Sequence, residues 1–114
     1  MPFGLPGARE HLWFILTNPD PAGNVLGVNL TSFELFKDTT VVLTEGHPFI
    51  VKKSVIQYSD AKLFSVVNLE WMENNSYAQR RETCSAELLK AVRDGLMKSD
   101  FTPQEMQTYL QQHP

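Results

Sequence analysis

Four apolar stretches, HLWFILT (11–17), NVLGVNLTS (24–32), DTTVVLTEGHPFI (38–50) and SVIQYSDAKLFSVV (54–67), decide the fold. They are rich in β-branched and aromatic residues, carry no helical period between them and stop in polar residues. The first two are separated by Asn18-Pro19-Asp20-Pro21-Ala22-Gly23-Asn24. That string combines residues that preset turn dihedrals, accept turn hydrogen bonds and tolerate positive φ. Residues 11–17 and 24–32 are therefore predicted to pair as antiparallel strands. Residues 33–37 read as a connector, and 38–44 as a third strand closed by Glu45-Gly46 and Pro48. Residues 54–59 and 61–69 read as two more strands, with a bend at Ser59-Asp60 between them.

Five strands at this spacing predict a small antiparallel β-barrel. The texture changes at Glu70. Residues 70–84 are polar, and then Leu88, Leu89, Val92 and Leu96 recur at helical spacing behind Ser85, a predicted N-cap. Thr102-Pro103-Gln104-Glu105 reads as a capping box with proline at the first helical position, and Met106, Tyr109 and Leu110 form the apolar stripe behind it. The expected fold class is thus mainly β with C-terminal helices: a barrel with an N-terminal arm over 1–69, then a linker and helical pair over 70–114. At 114 residues the two parts make one domain.

Composition narrows the chemistry. Ten basic against thirteen acidic residues give a net charge of −3, which argues against a uniformly basic nucleic-acid binder but leaves room for a local basic patch. Cys84 stands alone, so an intrachain disulfide and a CxxC zinc site are both excluded. The N-terminus lacks an apolar signal core and no apolar run approaches the roughly 18 residues of a membrane span, so a cytoplasmic protein is expected. HExxH, a phosphate-binding glycine loop, GxSxG and an EF-hand pattern are all missing from the sequence. His11 and His47 with scattered acids form no dense ligand set, so neither a metal nor a cofactor is expected.

The order of elements resembles the MazF/PemK-like toxin superfamily, small SH3-like barrels that include sequence-selective ribonucleases. The resemblance covers roughly residues 9 to 67. It rests on Arg9 to Leu16, on Val28-Asn29-Leu30-Thr31-Ser32, on Thr40-Val41-Val42-Leu43 and on Ser54-Val55-Ile56. Three features depart from the family pattern: an eight-residue Pro/Gly-rich arm stands where the family usually has another strand, His11 stands where a proline is usual, and His47 before Pro48 is not part of the pattern. The resemblance implies a toxin-like, metal-independent endoribonuclease acting on single-stranded RNA. It also implies a homodimer and a cognate antitoxin that masks the RNA groove.

Metal-free RNA cleavage needs a base for the 2′-hydroxyl, an acid for the leaving oxygen and a cation for the phosphorane. Histidine suits both proton roles, which makes His11 and His47 candidates. The alternatives are a sheet-capping His11 and a merely exposed turn histidine at 47. The resemblance supports Arg9 as a phosphate clamp, against a solvated charge in a flexible arm. It also maps Thr31 and Ser32 onto a Thr-Ser pair that contacts phosphate, although hydroxyls at a strand end often bond turn backbone instead. Lys52 and Lys53 are candidates for phosphate charge, or an edge-strand device. Ser54 and Tyr58 share a strand face, where Tyr58 is either a base-stacking ring or a half-buried core residue. The rival to the enzyme is a non-catalytic barrel serving as a protein-binding or regulatory module.

Overall fold

The computed structural model describes residues 2–3, 11–34 and 37–114, with residues 2, 3 and 11 described by backbone alone. Five strands, β1 (Pro2–Phe3), β2 (His11–Ile15), β3 (Asn24–Ser32), β4 (Val42–Leu43) and β5 (Ser54–Ser65), form one sheet in the order β1-β2-β3-β5-β4. Every pairing is antiparallel. Three helices follow: α1 (Val66–Asn74), α2 (Ala86–Lys98) and α3 (Gln104–Gln112). The chain is mainly β with helices gathered at its C-terminal end, as the strand and helix patterns predict.

The β2–β3 turn forms where the proline-rich string stands. Asp20 Oδ1 accepts from the N–H groups of Ala22 and Asn24, both at 2.9 Å, and Gly23 takes φ +80. A positive φ there favours glycine because a Cβ would crowd the carbonyl. The register that follows puts Leu12, Phe14 and Leu16 of the first arm beside Leu26, Val28 and Leu30 of the second, all buried on one face. Ile56 and Tyr58 of β5 continue that face. Leu88, Val92 and Leu96 of α2 and Leu110 of α3 cover it. Each such side chain withdrawn from water contributes about 1.5–3 kcal/mol before its ordering entropy is subtracted.

Several boundaries differ from expectation, each for a local reason. Residues 54–59 and 61–69 are not two strands. β5 runs unbroken to Ser65, and the expected bend at Ser59-Asp60 is a bulge inside it. Gly27 faces Lys62, whereas Asn29 faces Gln57, so β5 holds extra residues opposite Val28. Asp60 Oδ2 fastens the bulge by accepting from Asn29 Nδ2 at 3.2 Å and Gln57 Nε2 at 3.0 Å. Such an insertion bends a strand and increases its twist, which curls the sheet. Residues 66–69 are helical because Ser65 Oγ accepts from the Asn68 N–H as an N-cap. The segment from Glu70 is therefore the continuation of α1 and not wholly linker.

The third strand shrinks to Val42–Leu43. Buried Asp38 turns the chain inward there: it accepts from Thr40 N–H at 2.9 Å, Thr40 Oγ1 at 2.6 Å and Ser99 Oγ at 2.5 Å. A carboxylate that captures nearby donors competes with the ladder. Ser85 caps α2 as expected, its Oγ accepting from Leu88 N–H at 3.1 Å. The capping box at Thr102 does not form. Pro103 holds the cap position without a side-chain bond, and Thr102 Oγ1 is buried with no hydrogen-bond partner.

Candidate nucleic-acid interface at the end of the sheet

β3 ends in Thr31 and Ser32, which face Val55 and Ser54 of β5. The chain then turns back over this edge, so that Lys37 Nζ donates to Thr31 Oγ1 at 2.9 Å and to the Ser32 carbonyl at 3.1 Å. Glu34 lies 3.8 Å from the same ammonium, an exposed carboxylate whose pull solvent largely screens. The ladder continues one step beyond the strand, with Phe33 N–H donating to the Lys53 carbonyl at 3.1 Å. Lys53 Nζ in turn sits 4.0 Å from the centre of the Phe33 ring. Two ammonium groups, those of Lys37 and Lys53, thus gather around a Thr-Ser strand end. A chain of net negative charge carries a locally basic rim here.

The sequence-derived candidates distribute unevenly around this rim. Thr31, Ser32 and Lys53 lie on it, and Lys52 is exposed next to Lys53 in the chain. Ser54 is beside it but buried, and its hydroxyl is spent on the Lys52 carbonyl at 2.9 Å. The His11 backbone pairs with Phe3, and continuing the β2–β3 register from Trp13↔Asn29 brings it level with Thr31. Arg9 lies outside the described residues. Tyr58 is not open to a nucleobase: it is fully buried and its phenol donates to the Val92 carbonyl at 2.7 Å. Burial first, then the carboxylates of Asp38 and Asp94, pushes that phenol up, so it remains a donor.

His47 occupies a different place. Its ring is buried, with Nε2 2.6 Å from the Glu82 carbonyl and Nδ1 accepting from Phe49 N–H at 3.1 Å. A backbone N–H can only donate, so Nδ1 is the acceptor and Nε2 carries the proton. Both nitrogens are engaged: Nε2 holds the 80–84 segment through Glu82, and Nδ1 holds the turn that carries the ring through Phe49. The ring borders a groove of about 270 Å³ whose other walls are the Leu12–Ile15 edge and Arg80 to Cys84; Thr31 and Ser32 do not line it.

Two residues of the rim, Phe33 and Lys37, fall in what the sequence marks only as a connector. The one signal for Lys37 is its sign, a cation shortly after a strand-ending Thr-Ser pair. Among the described residues no three His, Cys, Asp or Glu side chains cluster to hold a metal ion, and no helix is long and apolar enough to cross a membrane.

No family model matches this sequence and no solved structure matches it. Similar sequences are the beta′ subunits of DNA-directed RNA polymerase from Chlamydia trachomatis serovars L2 and D and from Chlamydia muridarum. Each is 32% identical over 83 residues, which is 71% of this chain and 6% of the subunit. The likeness is local. The chain spans about 6% of the length of the curated relatives it matches.

Proposed function

We propose that the chain acts on single-stranded RNA at the Thr31–Ser32 rim, as a cytoplasmic, toxin-like endoribonuclease. The observation that carries this reading is the convergence of Lys37 Nζ on Thr31 Oγ1 and the Ser32 carbonyl, with Lys53 alongside. A hydroxyl and two ammonium groups at a strand end suit the binding of a phosphate. The ammonium ions neutralise its oxygens, and the threonine donates to one of them.

In this mechanism a base takes the 2′-hydroxyl proton, the 2′-oxygen attacks phosphorus, and the 5′-oxygen leaves after accepting a proton. The products are a 2′,3′-cyclic phosphate and a free 5′-hydroxyl. The proton role passes to His11, whose position at the start of β2 is level with Thr31, and not to His47, whose nitrogens are occupied. Arg9 is the additional cation that the toxin resemblance supplies. A homodimer and a masking antitoxin belong to the same proposal. The polymerase-subunit likeness supports it only coarsely, as association with nucleic acid or protein.

The test is cleavage of a long single-stranded RNA by purified protein in EDTA, beside Thr31→Val and Lys37→Met. Cleavage by the parent, lost in both variants at unchanged melting temperature, is the expected result. RNA that stays intact with folded parent protein refutes the nuclease. A second reading, the non-catalytic binding module, then takes its place. It is favoured by one specific feature: Val67 and Trp71 of α1 are exposed, and Trp71 stacks at 5.5 Å on half-exposed Tyr77. Exposed aromatic side chains grouped this way suit protein association.

A further inference from the structure

The Phe33–Lys53 contact sits within the rim, and the cleavage chemistry gives the Phe33 ring no part. Phe33 is the residue directly after the Thr31–Ser32 pair, and its backbone is pinned by the hydrogen bond to the Lys53 carbonyl. Its ring is partly exposed and faces the Lys53 ammonium at 4.0 Å. That ammonium has no carboxylate partner among the described residues, whereas Lys37 has two oxygen acceptors and Glu34. Lys53 therefore rests on a weaker anchor than Lys37, at an exposed site where a cation–π contact is easily exchanged. Phe33 directly follows the Thr31–Ser32 pair, so a base on its face and a phosphate at the pair would belong to neighbouring positions of one strand. A π-face also accepts any base whose neighbour does not already stack on it, which in practice means an unpaired base.

We infer that Phe33 is the base-stacking residue of the rim, and that Lys53 moves from the ring to a phosphate when an unpaired nucleotide binds. The ammonium that shields the ring in the free protein becomes a backbone contact in the complex, and the vacated face takes the base. The inference rests on the RNA reading above and adds to it a recognition element. The site selects single strands over duplexes, and larger bases over smaller ones because stacking strengthens with ring area.

The experiment measures binding of labelled oligoadenylate, oligouridylate and an RNA duplex by fluorescence anisotropy across a salt series. The proteins are the parent, Phe33→Leu, Phe33→Trp and Lys53→Met, each checked for an unchanged thermal melt. Leucine keeps the bulk and the packing of the ring but not its π-face, so loss of fold does not confuse the result. The expected outcome is that Phe33→Leu weakens oligoadenylate binding by about 5- to 150-fold and erases the preference over oligouridylate. Phe33→Trp retains both. Lys53→Met lowers the salt slope by about 0.7, one single-strand phosphate contact, and Phe33→Leu leaves the slope unchanged. Parent protein that binds RNA with Phe33→Leu indistinguishable from it overturns the stacking inference and leaves the RNA reading standing. Equal affinity for duplex and single strand does the same. Parent protein that binds none of the three RNAs at low salt overturns the RNA reading itself, and the inference with it.

Discussion

Gly95 has the least room for a side chain of the described glycines, and Gly95→Ala tests the packing of helix on sheet. A methyl group there would overlap Tyr58 Oη and Val41 Cγ2 and lie 2.9 Å from Tyr58 Cζ. Tyr58 cannot withdraw, because it is fully buried and its hydroxyl is bonded to the Val92 carbonyl one turn earlier in α2. Alanine is the better helix former by about 1 kcal/mol. Against that gain stand about 1–3 kcal/mol for overpacking a filled core and about 1–3 kcal/mol for a buried hydroxyl forced from its acceptor. The net is a destabilisation of about 3 kcal/mol, or roughly 12 °C in melting temperature for a domain of this size. Urea titration followed by far-UV circular dichroism measures it. In the double variant Tyr58→Phe/Gly95→Ala the oxygen is gone, so the combined loss is smaller than the sum of the single losses by about 1 kcal/mol or more. A Gly95→Ala protein that melts at or above the parent temperature refutes this account, since it would mean the helix stands off the sheet.

Three further outcomes follow from the same structure. His47→Ala strands the Glu82 carbonyl and the Phe49 N–H and leaves a void, at a cost of about 2–4 kcal/mol by urea titration; unchanged stability with lost RNA cleavage would return the proton role to His47. Asp60→Ala removes the one acceptor that Asn29 Nδ2 and Gln57 Nε2 share, costing about 1–3 kcal/mol, and backbone amide exchange in β5 should accelerate at the bulge before it does elsewhere. Tyr109 donates to Asp20 Oδ2 at 2.8 Å; its phenol is pushed up to about 12 by burial and then by that carboxylate. A raised folded pKa means the contribution is complete below the ordinary value near 10 and is lost as pH climbs through about 12. Asp20 is held below its usual range by the Asn24 N–H and then by Tyr109, so its share is present above the ordinary carboxylate range and is lost as pH falls through the lowered value. Tyr109→Phe should therefore flatten the alkaline limb of the stability profile, and an unchanged limb would show that the pair is not linked to folding.

The apolar strands at 11–17 and 24–32, the Asn18 to Asn24 turn, and the cap and stripe of α2 were all legible in the sequence. Each depends on contacts within a few residues or on a simple inside–outside choice. Strand pairing of β2 with β3 follows from the shortness of the turn. The bend at Ser59-Asp60 was legible as well, but not its consequence: whether a chain breaks into two strands or bulges within one depends on the partner. Asn29 and Gln57, distant in sequence, supply the donors that hold Asp60 in place.

The candidate site divides along the same line. Thr31, Ser32, Lys52 and Lys53 could be named in sequence because they flank strand ends, where polar side chains meet water. The fates of Tyr58 and His47 were decided by tertiary structure: the Val92 and Glu82 carbonyls that engage them lie more than thirty residues away in the chain. Lys37 and Phe33 join the rim only because the chain folds back over the β3 edge and because β5 delivers Lys53 to the ring. By itself the sequence determined the β2–β3 turn, the apolar stripe of α2 and the class of fold, since these follow from short-range sterics and from burial of apolar area. Only tertiary structure decided which polar groups are spent on holding the fold and which remain for a ligand, because a hydrogen-bonding group is satisfied by whatever long-range packing places within 3 Å of it.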